Sequence, residues 1–360
     1  MFKWAEKLFK GMNIHMRILC AKDLRARLYK ERYRICVRIN GGHPQMIKVL
    51  GKGCNYDYCA DPFLLRHDGV NWLFFETLNR CRKGVIGCLK QNPVNGEWVN
   101  CGIVMEMSQH LSYPLVFEED GRVYMIPESS DVSNGCKNGQ VALYESDSFP
   151  YDWRRVSTLI KEPFSDSTLI KSDGHYYLSC LRMLPTLVSE LWSSPSLKGP
   201  WTKHPQSSNV NQSKRLRRNG GAFQYVEGVL CRIAQDCNGD YGKRLFKVPV
   251  LKMSPTEYEE GKASLLLDDG WPKNGMKHTY NRLDTPGGLI EVIDVKDYVP
   301  YPVLYRALIW IRIICHFIFR LKIKGKRGFL VQIFGFQVVK GCVKERPAFV
   351  QIRLGSRKRL

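Results

Sequence analysis

The 360-residue sequence has 13 cysteines, but it contains no Cys-x-x-Cys pair and no cysteine–histidine spacing typical of a metal site. Several cysteines stand inside apolar segments, among them Cys36, Cys88, Cys180 and Cys231. This pattern fits reduced thiols in a core better than disulfides or metal ligands. No nucleotide-phosphate loop is visible either. We therefore predict no metal motif, no cofactor and a reducing, cytoplasmic compartment. A divalent cation held by the acidic residues described below is the alternative that stays open.

The N-terminal stretch MFKWAEKLFKGMNIHMRIL lacks a continuous apolar run and a small-residue cleavage site, so secretion is not expected. Acidic residues are scarce at both ends of the chain. Residues 1–38 hold 11 Lys and Arg against 3 acids, and residues 299–360 hold 14 against 1. The middle holds 30 of each sign, although the net charge is +21. This distribution excludes a uniformly basic nucleic-acid-binding protein.

One segment recurs five times with near-even spacing. Two apolar halves of each copy are separated by a turn, at Asp68-Gly69, Asp120-Gly121, Asp173-Gly174, Glu227-Gly228 and, in the last copy, Pro286-Gly287-Gly288. Successive turns are about 52 to 59 residues apart, a spacing typical of propeller blades. β-Branched and aromatic residues flank each turn, so each copy predicts a β-hairpin.

Further strands complete these units. The segments GVIGCLKQ, GQVALYES, SELWSSPS and KRLFKVPV follow the first four hairpins, and a Trp-bearing segment follows each of them. Five hairpins with outer strands predict an all-β fold, a five-bladed β-propeller over residues 34–298. The last hairpin ends near Val295, so the early strands RYRICVRIN and QMIKVL are expected to close the ring and cover a sheet edge. A β-sandwich is the alternative architecture.

Polar residues cluster where the predicted hairpins begin and end. Because the first strand of a hairpin starts beside the end of the second, Asp61 should approach Glu76, and Tyr113 should approach Glu128. If the first strands are innermost, all five polar sets converge on one mouth of the central channel. The later units bring to this mouth Asp166, Arg218 with Gln235, and His278 with Asp294. We predict catalytic roles for Asp61, Asp166 and Glu128, and substrate-binding roles for Glu76, Tyr113, Arg218, Gln235 and His278.

Each candidate also has a structural alternative. Asp61 precedes a proline and can cap a turn, and Asp166, in FSDST, can be held by its Ser and Thr neighbours. Glu76 and Glu128 can be buried partners of arginines such as Arg218, whose planar fork suits a carboxylate or an anionic ligand.

The motifs ADPFLL…FFE, HLSYPLVFEEDGRVYMIPES, GPWTKHP and R.GG…R.AQD…YG resemble the N-terminal domain of the glucosamine inositolphosphorylceramide transferase family, known from plants and bacteria. The resemblance covers roughly residues 34–295. That domain is similar in turn to the five-bladed propellers of glycoside hydrolase family 43. The resemblance to these two families implies a carbohydrate-active protein. In the plant enzymes, sugar transfer is expected from a separate C-terminal domain, for which about 60 residues after 298 are too few.

The hydrolases in this resemblance carry an Asp base in the first blade, a second Asp that tunes a pKa, and a Glu acid in the third. Asp61 matches the base, and Asp166 stands where the acid is expected. Tyr113 stands where the second Asp is expected, so the match to the hydrolase set is incomplete. An inverting glycosidase needs one protonated and one ionised carboxyl, about 6.5 to 9.5 Å apart.

The basic ends flank the propeller as an N-terminal segment, 1–33, and a C-terminal extension, 299–360. Within the extension, residues 303–319 are mostly apolar but interrupted by basic residues, which argues against a spanning helix. At 100° per residue, the basic residues from Arg306 to Arg320 fall within about 120° of one another. This pattern predicts a helix lying on an anionic membrane surface through residues 303–327. A helix packed on the propeller is the alternative.

Three functions remain open. The favoured one is a cytoplasmic carbohydrate-active protein, peripheral on the inner face of the membrane, in surface glycan or glycolipid synthesis. Its channel mouth would bind a sugar or lipid-linked sugar, as a glycosyltransferase or with a partner transferase. The second is an inverting glycosidase using Asp61 and Asp166. The third is a non-catalytic interaction scaffold, which predicts acids neutralised by fixed ion pairs and no pocket. Specific nucleic-acid binding is not expected.

Overall fold

The computed structural model of the chain describes residues 28–303 except 56, 134–135, 184, 239 and 268–269, together with 305, 306 and 309. The first strands in the chain are β1 (Tyr29–Ile39) and β2 (Gln45–Met46). Five separate sheets follow from the strand pairing, and each sheet is one blade. The five-bladed β-propeller predicted from the repeats is confirmed.

The first three blades follow one another along the chain. Blade 1 contains, from the channel outward, β3 (Cys59–His67), β4 (Val70–Leu78), β5 (Gly84–Gln91) and β6 (Trp98–Met105). Blade 2 contains β7 (His110–Glu119), β8 (Arg122–Ser133) with its partner β9 (Cys136–Gly139), β10 (Val141–Ser148) and β11 (Tyr151–Ile160). Blade 3 contains β12 (Phe164–Ser172), β13 (His175–Arg182), β14 (Val188–Ser194) and β15 (Thr202–Lys203).

The inner strand of the fourth blade is broken into two pieces. A short 3₁₀ helix, Ser207–Asn209, precedes this blade. Blade 4 contains β16 (Arg218–Asn219), β17 (Gln224–Val226), β18 (Val229–Gln235), β19 (Leu245–Met253), β20 (Tyr258–Glu260) and β21 (Ser264–Leu265). Both β16 and β17 pair with β18, and both β20 and β21 pair with β19.

Blade 5 is a composite of the two ends of the propeller. It combines β22 (Tyr280–Thr285) and β23 (Gly288–Pro300) with β1 and β2, in the order β2-β1-β23-β22. Strand β1 pairs with β23 along its whole length, from Tyr29 opposite Pro300 to Ile39 opposite Ile290. This pairing confirms that the early strands close the ring. Because β1 starts at residue 29 and β23 ends at 300, the strands run beyond the predicted boundaries at 34 and 298.

The hairpin turns explain the repeat. At Asp68-Gly69, Asp120-Gly121, Asp173-Gly174 and Glu227-Gly228, both residues have positive φ, between 47° and 78°. A two-residue turn of this conformation matches the right-handed twist of the flanking strands, and glycine adopts its second position without steric cost. These turns all lie at one end of the propeller, and we call the other end the mouth.

The hydrophobic core lies between the blades. Separate clusters of buried apolar side chains fill the space between blades 5 and 1, between blades 4 and 5, and between blades 3 and 4. The largest cluster joins blades 1, 2 and 3. Strand β1 contributes Ile35 and Val37 to the cluster between blades 5 and 1. The closing strand is therefore part of the core as well as of the sheet.

Two substitutions in β1 test its contribution to the core. Ile35 is fully buried, whereas Ile39 of the same strand is 43% exposed. We expect Ile35→Ala to lower the free energy of unfolding by about 2–5 kcal/mol through lost burial and a cavity. Ile39→Ala should lower it by about 1 kcal/mol or less. Urea-induced unfolding measures both, and equal small effects would show that β1 is not packed as described.

Candidate functional site

The inner strands of blades 1, 2 and 3 are interrupted by a bulge at the same place. The pairing register shifts between Ala60 and Phe63, and it shifts equivalently in the next two blades. The bulged residues are Asp61, Tyr113 and Asp166, with φ of 49°, 47° and 49°. Left-handed backbone is uncommon for residues other than glycine. The bulge takes the N–H of each of these residues out of the strand ladder.

Carboxylates accept the hydrogen bonds of these three displaced N–H groups. The Asp61 amide donates to Asp294 Oδ2 at 3.0 Å, and the Tyr113 amide donates to Asp61 Oδ2 at 3.3 Å. The Asp166 amide donates to Glu128 Oε2 at 3.0 Å. A buried N–H without an acceptor would cost free energy. The predicted mouth acids therefore stabilise the backbone around the channel and connect neighbouring blades.

His278 lies between two of these acids. Its Nδ1 contacts Asp294, and its Nε2 is 3.8 Å from Asp61 Oδ1. Asp61 Oδ1 also accepts a hydrogen bond of 2.6 Å from the Thr279 hydroxyl. Burial opposes the charged ring, but Asp294 and Asp61 outweigh burial and raise the pKa of His278 to about 9. Burial also raises the pKa of Asp61.

These three residues are also the one group, within the described part of the chain, whose geometry could hold a metal ion. Ligand atoms of Asp61, His278 and Asp294 all lie within 4.8 Å of one another. With a pKa of about 9, the imidazole is protonated at neutral pH, and a metal bound here would have to displace that proton. Without a metal, the arrangement is an imidazolium held by two carboxyl groups.

Glu76 pairs with a histidine from the next blade. Its Oε1 is 3.0 Å from His110 Nε2, and the Glu76 side chain is buried while His110 is partly exposed at the mouth. Burial raises the pKa of Glu76 to about 7, although His110 opposes this rise. The pair can therefore gain or lose a proton near neutral pH. In the pairing of β3 with β4, Glu76 lies opposite Ala60. Asp61 follows Ala60 directly, so Asp61 and Glu76 are neighbours, as predicted.

Arg218 pairs with Asp166 across blades 4 and 3. Its Nε is 2.5 Å from Asp166 Oδ2, and its guanidinium lies over the ring of Tyr241, 4.9 Å from the centroid. Burial opposes the charge, but Asp166 raises the pKa of Arg218 well above its ordinary value. The Tyr241 ring contacts His278 edge-on at 5.1 Å. Arg218 is thus held rigidly by an acid on one side and an aromatic ring on the other.

Four of the five predicted binding residues are buried in the structure: Glu76, His278, Tyr113 and Gln235. Tyr113 is 1% exposed, and its hydroxyl oxygen lies 2.8 Å from Thr168 Oγ1 and 2.9 Å from both the amide N and the carbonyl O of Gly221. Gln235 lies opposite Arg218, as predicted, and its amide donates to the Asn219 carbonyl at 2.8 Å. In this structure Tyr113 connects three blades, and Gln235 supports the broken inner strand of blade 4.

A cavity of about 590 Å³ opens at the mouth beside blades 4 and 5. Its lining residues are Asp240, Lys243, Gly275, Met276, Lys296, Asp297 and Tyr298. The ammonium group of Lys296 lies within 5.7 Å of the ring centroids of Tyr33, Tyr241 and Tyr298. A larger cavity of about 650 Å³ lies at the outer edge of blades 5 and 1, around Ile39 and Trp98. Neither cavity is lined by any of the predicted site residues.

Sequence reasoning missed two residues of this region. Lys296 follows Asp294 at a spacing of two on β23, so strand alternation could have placed it at the same mouth. Tyr241 belongs to a loop between β18 and β19, where no periodic signal marks it. The predicted membrane-surface helix at 303–327 and the N-terminal residues 1–27 lie outside the described residues, apart from 303, 305, 306 and 309. Within the described residues, no helix is both long and apolar enough to span a bilayer.

Comparison with known proteins gives a consistent family. A sequence profile of the family described as glucosamine inositolphosphorylceramide transferase 1, N-terminal, matches residues 46–284. The rice protein (Oryza sativa subsp. japonica) named glucosamine inositolphosphorylceramide transferase 1 is 33% identical over 261 residues, which make up 68% of this chain and 34% of the rice protein. These matches confirm the resemblance seen in the motifs. The chain spans about a third of the length of this curated relative.

Solved structures share the architecture. The GH32 β-fructofuranosidase of Bombyx mori has a TM-score of 0.50 at 11% identity, with 76% of this chain and 60% of that chain covered. A GH43 protein variant from Bacillus licheniformis has a TM-score of 0.46 at 16% identity, with 64% of this chain and 52% of that chain covered. At such low identity, the likeness concerns the fold alone.

The Glu76 carboxyl predicts a pH dependence of stability. Its folded pKa of about 7 lies above the ordinary value of 4.5, so its contribution is fully present below pH 4.5 and is lost as the pH rises through 7. Relative to Glu76→Gln, the wild type should lose on the order of 3 kcal/mol of unfolding free energy over this range. Urea unfolding at several pH values measures the difference. A constant difference would contradict the raised pKa.

Tyr113 and Tyr151 offer a matched pair of Tyr→Phe substitutions. Tyr113→Phe removes a buried hydroxyl with partners in two other blades, and we expect a loss of about 1–3 kcal/mol of unfolding free energy. The Tyr151 hydroxyl bonds the Cys101 carbonyl at an exposed position, so Tyr151→Phe should cost about 0.5 kcal/mol or less. If Tyr113→Phe left stability unchanged, the proposed link between blades would be wrong.

Proposed function

We propose, because this chain belongs to the family of the glucosamine inositolphosphorylceramide transferase 1 N-terminal domain, that it is a carbohydrate-active protein of surface glycan or glycolipid synthesis. In this proposal the mouth of the propeller binds a sugar or a lipid-linked sugar. The protein acts as a glycosyltransferase or positions the sugar for a partner transferase. A cytoplasmic location, peripheral on the inner face of the membrane, is part of the same proposal.

The observation that carries the proposal is the combination of a cavity and a rigid polar surface at the mouth. The cavity of about 590 Å³ has the size of a small-molecule site and is lined by charged side chains and Tyr298. Tyr241 contacts Lys296, which lines the cavity, and Arg218 lies over the ring of Tyr241. Both residues are therefore neighbours of the cavity. Fixed carboxylates, a guanidinium and aromatic faces suit a sugar, which presents hydroxyl groups and apolar C–H faces together.

The acids of the mouth suit binding better than hydrolysis. A glycosidase that used Asp61 and Asp166 would need one of them as a proton donor. Asp61 accepts hydrogen bonds from Thr279 and from the Tyr113 amide, and Asp166 lies against Arg218. Both are therefore engaged as acceptors, although burial raises the pKa of Asp61. Glu76, whose pKa is about 7, is better suited to transfer a proton.

An interaction scaffold is the competing function, and the structure offers support for each reading. Fixed partners for the acids, such as Arg218 for Asp166 and His110 for Glu76, agree with a scaffold. The cavity beside Lys296 agrees with a ligand site. The name of the family, which refers to glucosamine, inositolphosphorylceramide and a transferase, favours the ligand site.

Saturation binding of monosaccharides, nucleotide sugars and lipid-linked sugars to the purified chain tests this proposal. The test variant is Lys243→Ala/Tyr298→Ala, which alters the cavity lining, and the matched control is Lys198→Ala/Tyr151→Ala, which alters a lysine and a tyrosine elsewhere. We expect saturable binding of one sugar class, weakened about tenfold or more in the cavity variant and unchanged in the control.

Other outcomes point to the competing functions. If the wild type binds no sugar of any class, the sugar-binding proposal is wrong and the scaffold is favoured. If the wild type hydrolyses an aryl glycoside and Asp61→Asn abolishes this activity while remaining folded, the glycosidase is correct. Circular dichroism and thermal unfolding of each variant establish that it is folded.

A further inference from the structure

The two ends of the propeller carry opposite charge. The rim loops are the described residues of the connections at the mouth, 79–83, 106–109, 161–163, 185–187, 214–217, 236–244 and 270–277. Together they contain 11 Lys and Arg but only 4 acids. Most of these basic side chains are exposed, including Arg80, Arg82, Arg215 and Lys243. The mouth is therefore surrounded by positive charge.

The opposite end is acidic. It comprises the five hairpin turns and the loops 40–44, 92–97, 149–150, 195–201 and 254–257. These segments contain six acids and one basic residue, Lys198. Since the middle of the chain holds equal numbers of both signs, this separation reflects where the charges are placed on the fold and not an excess of lysine and arginine in the blades.

Both ends of the chain also leave the propeller at the mouth. Tyr29, at the start of β1, pairs with Pro300, at the end of β23, and β23 runs from the turn end past Asp294 to the mouth. The chain continues from these points into residues 1–27, with seven Lys and Arg against two acids, and 301–360, with 14 against one. The described chain therefore enters and leaves the propeller on the same face as the rim loops, and the sequence on either side of it is basic.

Exposed apolar side chains accompany the positive charge on this face. Leu187 belongs to a rim loop and is 39% exposed, and Val303 and Tyr305, just after β23, are 73% and 50% exposed. Exposed apolar side chains also occur at the turn end, such as Val94 and Val229, but there they lie near acids, so it is their combination with positive charge that distinguishes the rim face. Basic residues with exposed aliphatic and aromatic side chains are typical of surfaces that contact a membrane interface, where the charges meet anionic headgroups and the apolar groups enter the acyl boundary. A nucleic acid would use the charge but not the aliphatic groups.

We infer that the rim face docks on an anionic lipid surface, so that the propeller mouth opens toward the lipid headgroups. The inference rests on the proposed function only for what enters the mouth, a sugar carried on a lipid. In this orientation a lipid-linked sugar meets the cavity at the level of the headgroups, while the acidic turn end is repelled from the membrane. Each basic residue close to an anionic membrane strengthens binding about fivefold.

Sedimentation of the full chain with lipid vesicles tests the docking. The vesicles contain phosphatidylcholine alone or phosphatidylcholine mixed with phosphatidylserine. The rim variant is Arg80→Glu/Arg82→Glu, which reverses two exposed charges in the loop between β4 and β5. The control is Lys198→Glu/Lys252→Glu, which makes the same change of charge near the turn end, where both lysines are exposed. The basic terminal segments are the same in all three proteins.

We expect the wild type and the control to bind phosphatidylserine vesicles within about twofold of each other, and the rim variant to bind them about tenfold or more weakly. Phosphatidylcholine vesicles should bind none of the proteins appreciably. Binding of a soluble sugar should be equal in the rim variant and the wild type, because neither arginine lines the cavity.

Several results would overturn the inference. The rim face is not the docking surface if the rim variant and the control bind phosphatidylserine vesicles equally, or if the wild type does not bind them. Single-stranded RNA and additional phosphatidylserine vesicles can be compared as competitors for the vesicle-bound protein. If the RNA displaces the protein at a lower concentration of negative charge than the additional vesicles do, the surface favours nucleic acid. If no sugar binds but the rim variant still loses vesicle binding, the docking is correct and the proposed function is wrong.

Discussion

The mouth of this propeller depends on hydrogen bonds from three displaced backbone N–H groups to buried carboxylates. The left-handed bulges at Asp61, Tyr113 and Asp166 take these groups out of the strand ladders, and Asp294, Asp61 and Glu128 accept them. Because donor and acceptor belong to adjacent blades in all three cases, each bond fixes the backbone and holds one blade against the next. The charged partners, His278 and Arg218, follow from the need to compensate buried acids.

This constraint changes how an acidic mouth is interpreted. In this chain Asp61, Asp166 and Glu128 already have structural partners, so acidity at these positions does not by itself indicate catalysis. Their fixed orientation nevertheless provides a rigid set of hydrogen-bond acceptors, and rigid acceptors lose little entropy when a polar ligand binds.

Much of the fold was predictable because its signals are local and periodic. The acidic-Gly turns, the strands beside them and the closure by the early strands all follow from spacing and alternation. Contacts between blades were harder to predict from the sequence, because the register within one hairpin does not specify which side chains of the next blade lie against it. Arg218 was expected to pair with Glu76 or Glu128 if its role were structural, and the ion pair observed is with Asp166. The bulge that buries Tyr113, and the loop position of Tyr241, left no periodic signal.

The composite fifth blade has a consequence for synthesis on the ribosome. Strand β1 emerges early, but its partner β23 is about 250 residues further along, which at about 5–20 residues per second means a delay on the order of tens of seconds. During that time β1 can pair only with the two-residue strand β2, and the edge that β23 will cover stays open. The nascent chain therefore completes its ring only after β23 has been synthesised, and the pairing that closes the propeller is among the last to form.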